Sequence, residues 1–263
     1  HENAWGKFIC FKDYALLEHF KCKHHNMFIY NIEKLTLKSL QFTKITTINK
    51  SNTIFIMGNG RSLAKCSFYE LQKYTTFGMN SAYKKYKELN FYPTYFGSHD
   101  PKLITHHYKQ FKDLLNNSPI KKFFFSQFNT KNKIQFTQQD ILNPKFQKIN
   151  FIYNKDYESY IPSTFKKYYN LNSTGANATL MSIIMGYQNI ILLGCDCNYT
   201  EIIKEAKISN KQTQELVITE TPKNNENYWF SNYQEKGDIY SIPTGETNHM
   251  TSWRIVKEAA NYH

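Results

Sequence analysis

IFIMGNGRSL, residues 54–63, sets the reading of the whole chain. Four apolar residues run into Gly58-Asn59-Gly60, and Ser62 offers a polar helix start. An apolar strand ending in a glycine-bracketed turn that opens a helix is the first unit of a nucleotide-binding α/β fold. Glycines let backbone approach a ligand closely. A helix N-terminus offers free N–H groups and the positive end of a dipole to a phosphate. The third glycine of the dinucleotide fingerprint is missing, as is the Lys-Ser/Thr of a P-loop. A tight strand–helix turn with no ligand is therefore an equal alternative until other segments bear on it.

Downstream, the pattern alternates between strand and helix. A strand over 54–58 leads to a helix over 62–73, and a strand over 76–79 ends at Asn80 before a helix over 81–89. A strand over 94–97 ends in Ser98-His99-Asp100-Pro101, a helix covers 103–115, and a strand covers 122–125. Three successive strands thus end in small polar residues: Asn59, Asn80 and Ser98–Asp100. In an open parallel sheet such ends converge on one crevice, where ligands bind. That convergence raises the opening motif above a bare turn.

Residues 126–170 are polar and aromatic and read as irregular structure with short helices. Ser173-Thr174-Gly175 then caps an apolar helix over 179–185. The strand over 189–193 returns to the rim at Gly194-Cys195-Asp196. Residues 199–236 are long for a connection and read as a lid anchored by Tyr228-Trp229-Phe230 and Tyr233. A final helix over 252–260 follows Asn248-His249-Met250-Thr251. Ahead of the main pattern, residues 14–19 read as a short helix, and 27–32 and 45–48 as strands. The expected architecture is α/β: a Rossmann-like, mostly parallel sheet flanked by helices over 51–263. It carries a lid region over 199–236 and an N-terminal extension over 1–50.

Composition narrows the function classes. The 263 residues hold 41% hydrophobic and 16% aromatic residues, enough for a sizeable core. No stretch reaches the ~20 apolar residues of a membrane span, and no secretory signal pattern is expected at the start. The net charge of +12 is almost all lysine, since Arg61 and Arg254 are the only arginines. The same bias enriches Asn, Ile, Phe and Tyr, so the charge is weak support for nucleic acid, and no nucleic-acid partner is expected. It permits attraction to an anionic membrane surface. Cys10, Cys22, Cys66, Cys195 and Cys197 are odd in number and irregular in spacing, as in a reduced, cytoplasmic protein. Cys22-x-His24-His25 lacks a second ligand pair at a zinc-site spacing, so no metal is expected.

The text GNGRSL at 58–63, MNSAY at 79–83, STGANATLMSIIMGYQNIILLGCD at 173–196 and NHMTSWRIVKEA at 248–259 resembles the bacterial sialyltransferases of glycosyltransferase family forty-two. It also resembles related bacterial transferases of capsule and lipooligosaccharide. The resemblance covers roughly residues 50–260. It implies a metal-independent transferase without a cofactor, using a cytidine-nucleotide (CMP-linked) donor and a glycan acceptor. It further implies a cytoplasmic enzyme, often oligomeric, at the inner face of the membrane. By motif it implies donor contacts for Gly58, Asn59, Gly60, Asn80, Ser173, Thr174, Gly175 and Asp196. It puts His249 where the family has its general base. A neutral imidazole beside a helix start, marked here by Thr251 and Ser252, suits that role.

Three positions depart from the family pattern. Asp100-Pro101 stands where the sialyltransferases bind the sugar carboxylate through an Asn-Pro, and a carboxylate there repels another. Leu171 replaces an arginine, and Asn198, followed by Tyr199, replaces a tyrosine. Ser98, His99, Asp100 and Asn198 remain candidates for donor or acceptor contact, with Asp100 a second candidate base or an orienter of His99. Tyr199 and Tyr228, with Tyr233, are candidates to assist the leaving phosphate. The readings carried forward are sialyl-type transfer, transfer of a modified phosphate from a CDP donor, and a nucleotide-binding module without transfer.

Overall fold

A computed structural model describes residues 18–21, 26–29, 50–126, 136–149, 151–152, 168–169, 173–196, 202–212 and 215–242. The strands in chain order are β1 (Glu18–Lys21), β2 (Asn26–Ile29), β3 (Thr53–Met57), β4 (Thr75–Met79), β5 (Tyr95–Ser98), β6 (Lys122–Ser126) and β7 (Phe146–Ile149). They continue with the short parallel pair β8 (Phe151–Ile152) and β9 (Tyr168–Tyr169), then β10 (Asn189–Leu193), β11 (Ala206–Asn210), β12 (Glu215–Ile218) and β13 (Ile239–Ser241). The helices are α1 (Phe68–Leu71), α2 (Tyr83–Tyr86), α3 (Pro101–His106), α4 (Tyr108–Asn117), α5 (Gln138–Ile141) and α6 (Thr174–Ile184).

Among the described residues, the main sheet has eight strands in the order β1-β2-β10-β3-β4-β5-β6-β7. All neighbours pair parallel except β1 and β2, which are antiparallel. The α/β, mostly parallel architecture expected from sequence is the one observed. From β3 the chain winds outward through β4, β5, β6 and β7, then returns to lay β10 on the other side of β3. The strand order reverses between β3 and β10, and such a reversal leaves a crevice at the strand C-termini.

Continuous apolar runs mark strands covered on both faces. On β3, Ile54 and Ile56 face a core with Ala176, Ala178, Leu180, Met181 and Ile183 of α6. Phe55 and Met57 face the opposite core, with Leu63, Leu71, Phe96, Phe111 and Phe123. The three phenylalanines of β6 divide the same way: Phe124 stacks on Phe77, and Phe125 lies against Phe136 and Phe146. Alanine, Asn177, Thr179 and Ser182 leave α6 buried almost all round.

Several elements differ from expectation. The helix over 62–73 is a 3-10 turn, Arg61–Lys65, followed by α1. Extended backbone at Cys66 breaks it, and Ser67 recaps the chain by accepting from the Glu70 N–H. The helix over 81–89 is likewise a 3-10 turn, Asn80–Ala82, and the single turn of α2. The helix over 103–115 is two helices meeting at His107, whose backbone leaves helical geometry. Glu18 and His19, read as a helix end, pair with Ile29 and Phe28 in β1. Partner strands override local preference there. Residues 126–170 supply β7 to the sheet edge, hidden from a sequence reading by its polar, half-exposed text FQKI. The region read as a lid, 199–236, holds β11 and β12, which pair with β13 just beyond it in an antiparallel sheet, and most of the long connection over 219–238. The strand expected over 45–48 and the helix over 252–260 lie outside the described residues. Among the described residues, no helix is long and apolar enough to cross a membrane.

Candidate functional site

The two strands beside the reversal point are joined through their glycines. Gly58 N–H donates to Leu193 O at 2.7 Å and Gly60 N–H to Gly194 O at 2.8 Å. Gly194 has φ +64, a conformation that glycine adopts without strain. Asp196 follows, and its carboxylate accepts from the Ser62 N–H at 2.9 Å and from the Ser62 hydroxyl. The start of the 3-10 turn that the sequence offers to a phosphate is therefore met by an internal carboxylate. Asp196 ties β10 to the turn after β3. Nearby, burial and the Asp196 charge push the Cys66 thiol up to about 12, so it stays protonated.

Asn59 bridges to the next strand: its Nδ2 donates to Met79 O at 3.3 Å. Its Oδ1 is buried and, among the described residues, has no hydrogen-bond partner. Asn80 sits in the left-handed region at φ 54, which asparagine tolerates better than most residues. Its Oδ1 accepts from Ser98 Oγ at 3.0 Å and from Thr174 Oγ1 at 3.4 Å. One side chain thus links the ends of β4 and β5 to the start of α6. Ser173 caps that helix by accepting from the Ala176 N–H. The N–H groups of Thr174 and Gly175 fall in the first turn, where no intrahelical partner exists. Asn59, Asn80, Ser98 and Thr174 are thus brought into one neighbourhood.

The connection after β12 folds onto this rim. Trp229 N–H donates to Asn59 O at 3.2 Å, and its indole packs on Phe68. Its Nε1 is buried without a hydrogen-bond partner among the described residues. Tyr233 accepts from the Ser81 N–H at 3.3 Å, and Tyr240 Oη lies 2.9 Å from Ser81 Oγ. Tyr228 stacks on Tyr233 with ring centroids 3.9 Å apart. Burial and the nearby Asp100 charge hold the Tyr228 phenol protonated, well above its ordinary range. Ser81 and Ser62 carry contacts that the sequence reading missed; their partners lie more than a hundred residues away.

Asp100 is used structurally. It caps α3 by accepting from the Lys102 and Leu103 N–H groups, and it takes the Ser241 N–H at 3.0 Å and hydroxyl at 2.7 Å. With four donors on its carboxylate, it fastens β13 to α3. His99 is buried, with 4% of its surface exposed, and burial lowers its imidazole to about 3 despite a hydrogen bond with the Phe124 backbone. Tyr199, Asn198 and His249 lie outside the described residues, as do Cys22, His24 and His25.

The state of His99 makes stability depend on pH. Between about pH 3 and the ordinary histidine value near 6.5, the unfolded chain binds a proton that the folded chain refuses. Stability therefore rises with pH across that window, and lowering pH from 7 to 5 costs about 2 kcal/mol through this residue. The denaturation midpoint of His99→Gln is expected to fall less steeply over that range than the wild-type midpoint. Parallel pH curves for the two proteins would contradict the assignment.

Residues 26–202, about two thirds of the chain, match the family described as 6-hydroxymethylpterin diphosphokinase MptE-like. The chain belongs to the MptE-like family. Neither a curated protein nor a solved structure matches it. This membership corrects the resemblance read from sequence: the chain is not a member of the sialyltransferase family, and a glycosyltransferase assignment is without support. The family's name is that of a diphosphokinase, an enzyme of transferase type, and transferase-type activity is the level the match supports. The MptE-like span runs from β2 to just beyond β10 and stops before the small sheet. The reversal point and its asparagines lie within the family match, whereas the aromatic segment that covers them lies beyond it.

Proposed function

We propose that this MptE-like protein transfers a phosphorus-bearing group from a nucleotide to the hydroxyl of an acceptor. The nucleotide lies across the ends of β3, β4 and β5. What carries the reading is the shared neighbourhood of Asn59, Asn80, Ser98 and Thr174 at the strand-order reversal. Asn59 Oδ1 there, and Trp229 Nε1 in the segment that folds onto it, are buried without a hydrogen-bond partner among the described residues. A buried polar atom without a partner is costly, so such atoms at a rim favour a ligand that supplies the missing group. A ribose hydroxyl is the group assigned to Asn59 Oδ1. The phosphates lie toward Thr174 and Gly175, away from the Asp196 carboxylate.

In diphosphokinase-type transfer the acceptor oxygen attacks the β-phosphorus of a nucleoside triphosphate. The bridging bond to the β-phosphorus breaks, and a nucleoside monophosphate leaves. The hydroxyl proton passes to a base, the role given to His249. The aromatic cover over 225–242 keeps water from competing.

The test is a thermal-shift panel of ATP, GTP, CTP, CDP, UDP and CMP, followed by transfer assays with 6-hydroxymethylpterin and with saccharide acceptors. Stabilisation by one triphosphate and release of its monophosphate, lost in His249→Ala, is the expected result. Binding without turnover identifies a nucleotide module, a response confined to CDP identifies a CDP-linked donor, and no response to any nucleotide overturns the reading.

A further inference from the structure

The break between α3 and α4 places two histidines, His106 and His107, against Asp238 in the turn that leads into β13. His107 Nε2 lies 3.0 Å and His106 Nε2 3.7 Å from the same oxygen, Asp238 Oδ1. The other oxygen, Oδ2, is filled: it accepts from Lys84 Nζ at 2.8 Å, the Glu235 N–H at 2.9 Å and Tyr240 Oη at 3.2 Å. One carboxylate oxygen is thus locked by three donors while its twin faces two imidazole nitrogens.

We infer that His106, His107 and Asp238 form a binding site for a divalent transition ion of the zinc class. The three ligand atoms lie within 4.8 Å of one another. Zinc–nitrogen and zinc–oxygen bonds of about 2.0–2.1 Å in a tetrahedron separate ligand atoms by about 3.3 Å, and the two nitrogen–oxygen separations, 3.0 and 3.7 Å, straddle that value. Two imidazoles and one carboxylate are a borderline-soft ligand set that suits zinc or cobalt, with a water completing the tetrahedron. The surroundings are those of a metal site. Oδ2 is held by its own hydrogen bonds, and His107 Nδ1 lies 3.1 Å from Tyr83 Oη. With an ion on Nε2, the ring proton resides on Nδ1 and Tyr83 accepts it, which fixes the tautomer. His107 and Asp238 are buried, while 35% of the His106 side chain is exposed, giving the ion a way in.

The site would clip the small sheet to the body. His106 and His107 come from the helices beside the main sheet, Lys84 from α2, and Asp238 from the strand-13 turn that also carries Tyr240 onto Ser81. None of its three ligands is among the proposed nucleotide contacts, and its test reads metal stoichiometry and melting without nucleotide, so the failure of one proposal is distinguishable from the failure of the other.

The test uses the full-length chain stripped with chelator and titrated with Co²⁺ and Zn²⁺. The wild type is expected to bind one more equivalent than His106→Ala and His106→Gln. It should give the visible absorption of four-coordinate cobalt, and its melting temperature should rise by about 5–10 °C at a roughly hundredfold excess of Zn²⁺ over the dissociation constant. The half-exposed His106 position lets both variants fold, which their melting without metal verifies. Equal stoichiometry in wild type and variants, or wild-type melting indifferent to Zn²⁺, overturns the proposal.

Discussion

Gly58→Ala is expected to lower the melting temperature by about 6–12 °C. A Cβ at this position would stand 2.4 Å from Gly194 O, 2.8 Å from Gly194 C and 2.9 Å from Cys195 Sγ. Two of those three atoms are backbone of β10's end, held by the hydrogen bond from Gly58 N to Leu193 O. Neither strand can yield without breaking the pairing at the centre of the sheet. Overpacking of this kind costs about 3 kcal/mol, and for a chain of this size each kcal/mol is worth about 2–4 °C. Circular-dichroism melting measures it, and a shift under about 2 °C would show that the two turns are less tightly apposed. Gly60→Ala meets Asp196 Oδ2 at 2.4 Å, the end of a side chain bonded to Ser62, and also the backbone oxygen of Gly194 at 2.8 Å. That variant is expected to disturb the rim and to lower the melting temperature as well.

Asn80→Ala is expected to weaken nucleotide binding about tenfold, the effect of one lost hydrogen bond of ordinary strength, and also to destabilise the protein. Two causes act on stability. Alanine at φ 54 is strained by about 1 kcal/mol. Ser98 Oγ and Thr174 Oγ1 lose their shared acceptor, adding about 1–2 kcal/mol. Asn80→Gly separates them, since glycine adopts the backbone freely but still lacks the amide. Isothermal titration on both variants is the measurement. Equal loss of affinity in alanine and glycine variants assigns the effect to the side chain; wild-type affinity in the glycine variant would remove Asn80 from the nucleotide site.

The strands were legible wherever a strand is buried on both faces. IFIM at 54–57 and NIILL at 189–193 are continuous apolar runs, and both lie at the centre of the sheet. The edge was not legible: β7 exposes Lys148 and half-exposes Gln147, so its text looks like loop. Helix ends were misjudged where distant partners decide them. Asp196 captures the Ser62 N–H and Asp238 faces the helix break at His107, and neither contact has a local sequence signal. The resemblance failed for a physical reason. Glycines at 58, 60 and 194 permit close strand-end contact, Asn80 adopts a left-handed backbone, and small residues let α6 lie on the sheet. Any chain with this reversal point is pressed toward such text whatever it transfers, so the motifs report geometry before chemistry. Asp100, the most visible departure from the sialyltransferase pattern, is a helix cap tied to β13.

The central claim is that a nucleotide lies across the ends of β3, β4 and β5, beside the strand-order reversal. A crystal structure of the protein with the nucleotide that stabilises it most tests this directly. The account predicts a ribose hydroxyl in hydrogen-bond reach of Asn59 Oδ1, with phosphates against the N–H groups of Thr174 and Gly175. A nucleotide bound elsewhere, with Asn59 Oδ1 still buried and unpaired, would contradict it.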